Sequence, residues 1–552
     1  MPGWAPLRKE SSSGMSRHHC FPEVIRGAAA RGLLVLASFT PVVCLAAQLP
    51  ESRAAVEEAP APASPLEAAR SAESRRDWRA ALEAYDRILA SDKAAVPALA
   101  GRSRCLLRLE DFRAALEAAE RAIASRPADE EAMLARAEAN LRAGNLELAR
   151  DQFTALVGAA PGMARGHLGL GRLLIAAGDL EKGIDALVKA HEITPDDPEV
   201  LLKYAGALAR RGEIAAALQR YLDLTEGGDP EKRQSVKTTL DYYKALGERP
   251  VWVLEARPAR CEIPLWPLAR TPGRPEGFVI ELRASGTEGK GDRKIRCLFD
   301  TGAAGLFLSR GVAARLGLED LSQGAIFGGG GGGRHETSRA LIKSLRAGDV
   351  RFRDAAAIVA AGSVDTLGRY EGIVGADVFD SFRITMDLPG RRLILEDPEA
   401  AGAAPGGPPA RREGTGIGGE AVQVWRVEGQ LLVRVRLNQG RSGLMMVDTG
   451  ASRTVLGLGA AEGLEGISRR PRDARTYGFG GQVERVEDIL GLELAFAGLT
   501  QADLPVLGID LSQRSRLVET EISGYLGLDI LRNCVLVFEP GLRRLTVHDR
   551  RG

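Results

Sequence analysis

The chain has 552 residues, too many for one ordinary hydrophobic core, so three or four domains are expected. Its 74 Lys and Arg balance 73 Asp and Glu to a net charge of +1, which gives no electrostatic case for binding nucleic acid. The six cysteines (Cys20, Cys44, Cys105, Cys261, Cys297 and Cys534) show no paired spacing, so neither a disulfide scaffold nor a zinc site is read from them.

Residues 1–47 read as a signal peptide or membrane anchor. Arg26 and Arg31 precede the apolar run "GLLVLASFTPVVCLAA" at 32–47, which is short for a transmembrane helix. Cleavage after Ala46 or Ala47 is expected, and Met15 is an alternative start. Val43 before Cys44 argues against lipidation. The expected location is periplasmic or secreted, with membrane anchoring as the alternative. A linker, 48–63, follows.

From 64 to 230 the chain repeats. Asp77, Asp111, Asn145, Asp179 and Glu213 each open a helical segment, 34 residues apart, and Pro127, Pro161 and Pro195 keep the same period. This phase resembles the tetratricopeptide repeat, which implies an all-α solenoid whose groove receives a peptide or protein partner. A connector, 231–274, leads into a different texture. Short β-like runs broken by glycine occupy 275–397 and, after the Pro/Gly/Ala linker at 398–414, resume over 415–550.

The two β regions are copies. "CLFDTGAAGLFLS" at 297–309 is matched by "MMVDTGASRTVL" at 445–456. "IFGGG" and "YGFGG" follow, with Phe327 27 residues after Asp300 and Phe479 31 after Asp448. "GIVGADVF" and "GYLGLDIL" come next, and Phe327 to Gly375 and Phe479 to Gly527 both span 48 residues. Each copy ends in a strand, a turn and a strand.

This order resembles the retropepsin-like and pepsin-like aspartic proteases, and implies two closed all-β barrels. The resemblance makes Asp300 and Asp448 the catalytic carboxyls of an endopeptidase that needs neither metal nor cofactor. It implies that Thr301, Gly302, Thr449 and Gly450 shape the active-site loops, with Gly375 and Gly527 supporting them from beneath. It places substrate-binding flaps at Phe327, Gly328 and Gly329 and at Tyr477, Phe479 and Gly480. The six-glycine run 328–333 reads as a first flap ordered by peptide backbone contacts.

One carboxylate must take a proton from water while one carboxylic acid polarises the peptide carbonyl, so two aspartates are required. A linker of this length holds the lobes together at roughly millimolar effective concentration, so one dyad within the chain is expected. Two separate homodimeric sites are the alternative. A second alternative is a non-catalytic peptide-binding scaffold in which the solenoid carries the function. Ala303 and Ala451 follow the two Asp-Thr-Gly motifs where pepsin-like enzymes carry a serine. Loss of that donor to the charged form raises the dyad's pKa values and moves the expected optimum towards neutral.

Asp377 and Asp529 recur as Gly-x-Asp and are read as caps of the short helices that follow. "GTGIGG" at 414–419 follows a linker instead of a strand and is read as loop. No G-x-S-x-G, HExxH or P-loop motif occurs. His167, His191, His335 and His548 are scattered and are read as packing or surface residues.

Overall fold

The computed structural model describes residues 64–550 apart from 209–210, 270–273, 287–291, 328–333, 362–363, 365–367, 401–418, 473–475, 479–480 and 484. The expected signal and most of the 398–414 linker lie outside the described residues.

Among the described residues, eleven helices form the N-terminal array: α1 (Pro65–Ser74), α2 (Trp78–Ser91), α3 (Val96–Arg108), α4 (Phe112–Ser125), α5 (Glu130–Arg142), α6 (Leu146–Ala159), α7 (Ala164–Ala177), α8 (Leu180–Ile193), α9 (Pro198–Ala205), α10 (Arg211–Leu224) and α11 (Pro230–Leu246). Asp77 and Asp111 accept from the amides of Ala80 and Ala114 at 3.1 and 3.0 Å, satisfying first-turn donors. Asn145 and Asp179 hold the same positions without a side-chain cap bond. Two glycines explain the close helix pairing. A Cβ on Gly101 or Gly169 would sit 2.2–2.3 Å from the ring of Tyr85 or Phe153.

The segment expected as a connector differs from a plain linker. It contains α11 and the strands Val253–Ala256, Arg260–Pro264 and Trp266–Leu268. Two of these strands are edge strands of lobe 1. The third, Arg260–Pro264, pairs antiparallel with Arg392–Glu396.

Both lobes place their motif in the same way. In lobe 1, Gly372–Gly375 runs parallel to Arg293–Asp300, with Gly375 opposite Asp300, and antiparallel to Leu306–Ser309. In lobe 2, Gly524–Leu526 runs parallel to Arg441–Val447 and antiparallel to Val455–Gly457. A continuous sheet joins the lobes in the order Arg260–Pro264, Arg392–Glu396, Arg383–Asp387, Cys534–Glu539, Arg544–Asp549, Ala421–Val427. At its centre Ile384 faces Phe538 and Asp387 faces Val535. One hydrophobic core runs through both lobes, including Phe299, Phe382, Met445, Leu526 and Phe538.

A second core joins the array to lobe 2. Leu141, Leu146, Phe153 and Leu173 pack with Trp425, Met446, Val518 and Tyr525. Polar contacts frame it. Glu147 bonds Trp425 Nε1 at 3.1 Å and pairs with Arg434. Arg516 pairs with Glu110 at 2.7 Å, and the Thr520 hydroxyl donates to the Leu141 carbonyl at 2.6 Å. Arg172 and Lys203 both hold Glu519. This face of the array is therefore occupied within the chain, and a partner of the array must use another surface or displace the lobe. Lobe 1 meets the array at α11, where the Arg339 guanidinium lies 4.8 Å over the Tyr242 ring.

Candidate active site

Asp300 ends a strand whose inward residues, Cys297 and Phe299, are buried. Asp448 follows a strand of buried Leu444, Met445, Met446 and Val447 in the same way. The apolar runs anchor the two strand ends, and the Thr-Gly turns deliver both carboxyls to one place between the lobes.

Two buried threonines lock the turns together. The Thr301 amide donates to Thr449 Oγ1 at 3.1 Å, and the Thr449 amide donates to Thr301 Oγ1 at 3.0 Å. Each hydroxyl then donates across the interface, Thr301 to the Val447 carbonyl at 2.7 Å and Thr449 to the Phe299 carbonyl at 3.0 Å. Both side chains are about 1% exposed. Four reciprocal bonds thus relate the lobes by a local two-fold.

Glycine is required on both loops. A Cβ on Gly302 would lie 2.8 Å from Asp448 Cγ, and one on Gly450 would lie 2.4 Å from Asp300 Oδ2. Each carboxyl therefore rests over the other loop's glycine, and the two lie within hydrogen-bonding reach of each other. Asp300 Oδ1 accepts from the Gly302 amide at 2.7 Å, and Asp448 Oδ1 accepts from Gly450 and Ala451 at 2.9 Å. Burial raises the pKa of Asp300 against these donors. Burial and the neighbouring Asp300 charge push Asp448 well above the usual carboxylate range. Two carboxyls this close cannot both ionise readily, so they hold a proton between them.

Gly375 and Gly527 lie directly behind these loops. The Gly375 amide donates to the Gly305 carbonyl at 2.8 Å, and a Cβ on Gly527 would sit 2.4 Å from the Arg453 carbonyl carbon.

The Gly-x-Asp aspartates bond beyond the expected capping, although Asp529 also accepts from the first-turn amide of Ile530 at 3.0 Å. The turn Ala376–Phe379 has no side-chain cap. Instead, both oxygens of Asp377 accept from the Gly305 amide, at 2.8 and 2.9 Å. Asp529 accepts from the Thr454 amide at 2.9 Å and the Thr454 hydroxyl at 2.6 Å. The parallel strand pairing sets each Gly-x-Asp turn against the loop that follows Asp-Thr-Gly, so the carboxyl reaches that loop's free amide. Burial pushes Asp377 up to about 7 against the pull of Arg426. The recurrence of Gly-x-Asp in both copies was the available signal, but its partner lies more than 70 residues away.

The flap positions are only partly described. Phe327 ends the strand Ser322–Phe327, paired with Arg334, and Tyr477 lies in Thr476–Gly478, paired with Gly481–Val483. Each strand pair forms the stem of a hairpin. The side chains of Phe327 and Tyr477, and Gly328, Gly329, Phe479 and Gly480 altogether, lie outside the described residues. Among the described residues, no cluster of His, Cys, Asp and Glu could hold a metal ion.

Comparison with known proteins matches this division of the chain. An aspartyl protease family model matches residues 287–378 and 433–530, one segment in each barrel. A tetratricopeptide repeat model matches 104–164 and 167–231. Similar solved structures include a tetratricopeptide protein of Thermus thermophilus, at 23% identity and a TM-score of 0.29, covering 32% of this chain and 97% of that one. Another is MamA of Desulfovibrio magneticus, at 22% identity and a TM-score of 0.23, covering 30% and 96%. No curated protein matches the chain.

Proposed function

We propose that the chain is an aspartic endopeptidase with one active site, built from Asp300 and Asp448 of the same molecule. The observation that carries this reading is the reciprocal Thr301–Thr449 bonding, which brings two carboxyls from one chain over each other's glycines. The continuous inter-lobe sheet supports one dyad per chain over two homodimeric sites.

In the proposed reaction a water lies between the carboxyls. The ionised member takes a proton from it as the oxygen attacks the peptide carbonyl, while the protonated member donates to the carbonyl oxygen. Collapse of the tetrahedral intermediate breaks the C–N bond and passes a proton to the leaving amine, and the dyad returns to its singly protonated state. The roles belong to the pair, since it titrates as a unit. The two hairpins take an extended peptide through main-chain pairing. The array holds lobe 2 in place and, on its other surfaces, recruits substrate or a partner protein. The apolar run 32–47 supports export of the mature protein.

The test is hydrolysis of unstructured casein with and without pepstatin. Pepstatin-sensitive cleavage supports the protease, whereas a folded, monomeric protein that cleaves nothing supports the non-catalytic scaffold.

A further inference from the structure

Where the array meets lobe 2, a cavity of about 160 Å³ remains, room for on the order of ten waters. It lies at a domain junction, a common place for small-molecule sites. Its array side is largely apolar, with Leu141, Leu146 and Leu173 on the wall. Its lobe 2 side carries Arg426, Glu428 and Arg543, and Arg172 and Lys203 complete the ring of charge.

These cations are not equally served. Arg172 and Lys203 share Glu519. Arg426 donates to Asp380 at 2.7 Å and reaches the Gly429 carbonyl at 3.4 Å. Arg543 is left 3.8 Å from the other Asp380 oxygen. Its Nε and Nη1 are buried and make no hydrogen bond among the described residues, although the residue is only 5% exposed. A buried guanidinium with unbonded nitrogens bears a desolvation cost, which the Asp380 carboxylate at 3.8 Å offsets only in part. Burial and the adjacent Arg426 lower its pKa to about 10, as expected for a cation short of counter-charge. Burial pushes the Glu428 carboxyl up to about 7, so near neutral pH it supplies only part of that charge.

We propose that this cavity binds a small aliphatic carboxylate, its head beside the Arg543 guanidinium and its alkyl tail on the wall of Leu141, Leu146 and Leu173. The two walls belong to different parts of the chain, so an occupant holds the array against lobe 2 and stabilises the assembled molecule by mass action.

Calorimetric titration of the intact chain with 4-methylpentanoate, and with the neutral amide 4-methylpentanamide, tests this. The acid is expected to bind saturably, one per chain, at least tenfold more tightly than the amide, and to raise the Tm. Arg543→Gln is expected to weaken the acid at least tenfold and leave the amide unchanged. Ala176→Met, which fills the cavity from α7, is expected to abolish both, and it decides the matter if Arg543→Gln does not fold. Equal affinity for acid and amide overturns the proposal, as does unchanged binding in Ala176→Met or no binding at about 10 mM.

Discussion

Replacing Thr449 by Val removes a hydroxyl while keeping the side chain's shape. Two groups then lose their partner, the Thr301 amide at 3.1 Å and the Phe299 carbonyl at 3.0 Å. Both bonds are buried at the lobe interface, so water cannot replace the hydroxyl. An orphaned buried donor or acceptor costs about 1–3 kcal/mol, which puts the loss at about 2–6 kcal/mol for the pair. Thr449→Ser is the control. It keeps both bonds and loses one methyl, worth about 1 kcal/mol. Amide hydrogen exchange read at Thr301 reports the effect locally and does not require two-state unfolding of a multidomain chain. Even the low end of the range predicts about thirtyfold faster exchange in Thr449→Val, with most of the protection restored in Thr449→Ser. Exchange in Thr449→Val within a factor of two of wild type would refute the cross-brace.

Asp529→Asn removes the charge beneath the lobe 2 loop while preserving its shape. Because the Thr454 amide and hydroxyl both donate to that carboxyl, kcat is expected to fall with KM little changed; an unaltered kcat would mean that the loop holds itself. Turnover should be maximal nearer neutral than strongly acid pH, since both carboxyls of the dyad are raised. A pH–rate maximum below about 3.5 contradicts this. In Glu519, burial raises the pKa, but Arg172, Lys203 and Arg142 outweigh it and hold the carboxyl well below its usual range. A lowered carboxylate pKa contributes stability above the unfolded value near 4.5 and loses it as pH falls towards the folded value. Glu519→Gln is therefore expected to cost about 3 kcal/mol at pH 7 and progressively less on acidification. A pH-independent difference in Tm would contradict that linkage.

Much of this architecture is legible in short stretches of chain. The 34-residue phase of Asp77, Asp111, Asn145 and Asp179 marks helix starts, and at Asp77 and Asp111 the side chain satisfies a first-turn amide. The paired Asp-Thr-Gly and Gly-x-Asp segments expose the duplication of the lobes, since each copy must rebuild the same loop. What stayed hidden depends on partners far apart in sequence. Arg260–Pro264 is five residues long, lies among prolines and becomes a strand only by pairing with Arg392–Glu396. Trp425 reaches Glu147 across 278 residues, so no local pattern announces that lobe 2 covers the array. Asp377 carries the residue type of a helix cap, and only the parallel strand pairing sends it to Gly305 instead.

The central claim is one dyad per chain, and cleavage of casein by Asp300→Asn and Asp448→Asn, each assayed beside wild type from about pH 3 to 8, tests it most directly. The account predicts that either single substitution abolishes pepstatin-sensitive cleavage, because each removes half of one shared site. If each variant instead retains about half of the wild-type rate, the two lobes work in separate sites and the single-dyad account is wrong.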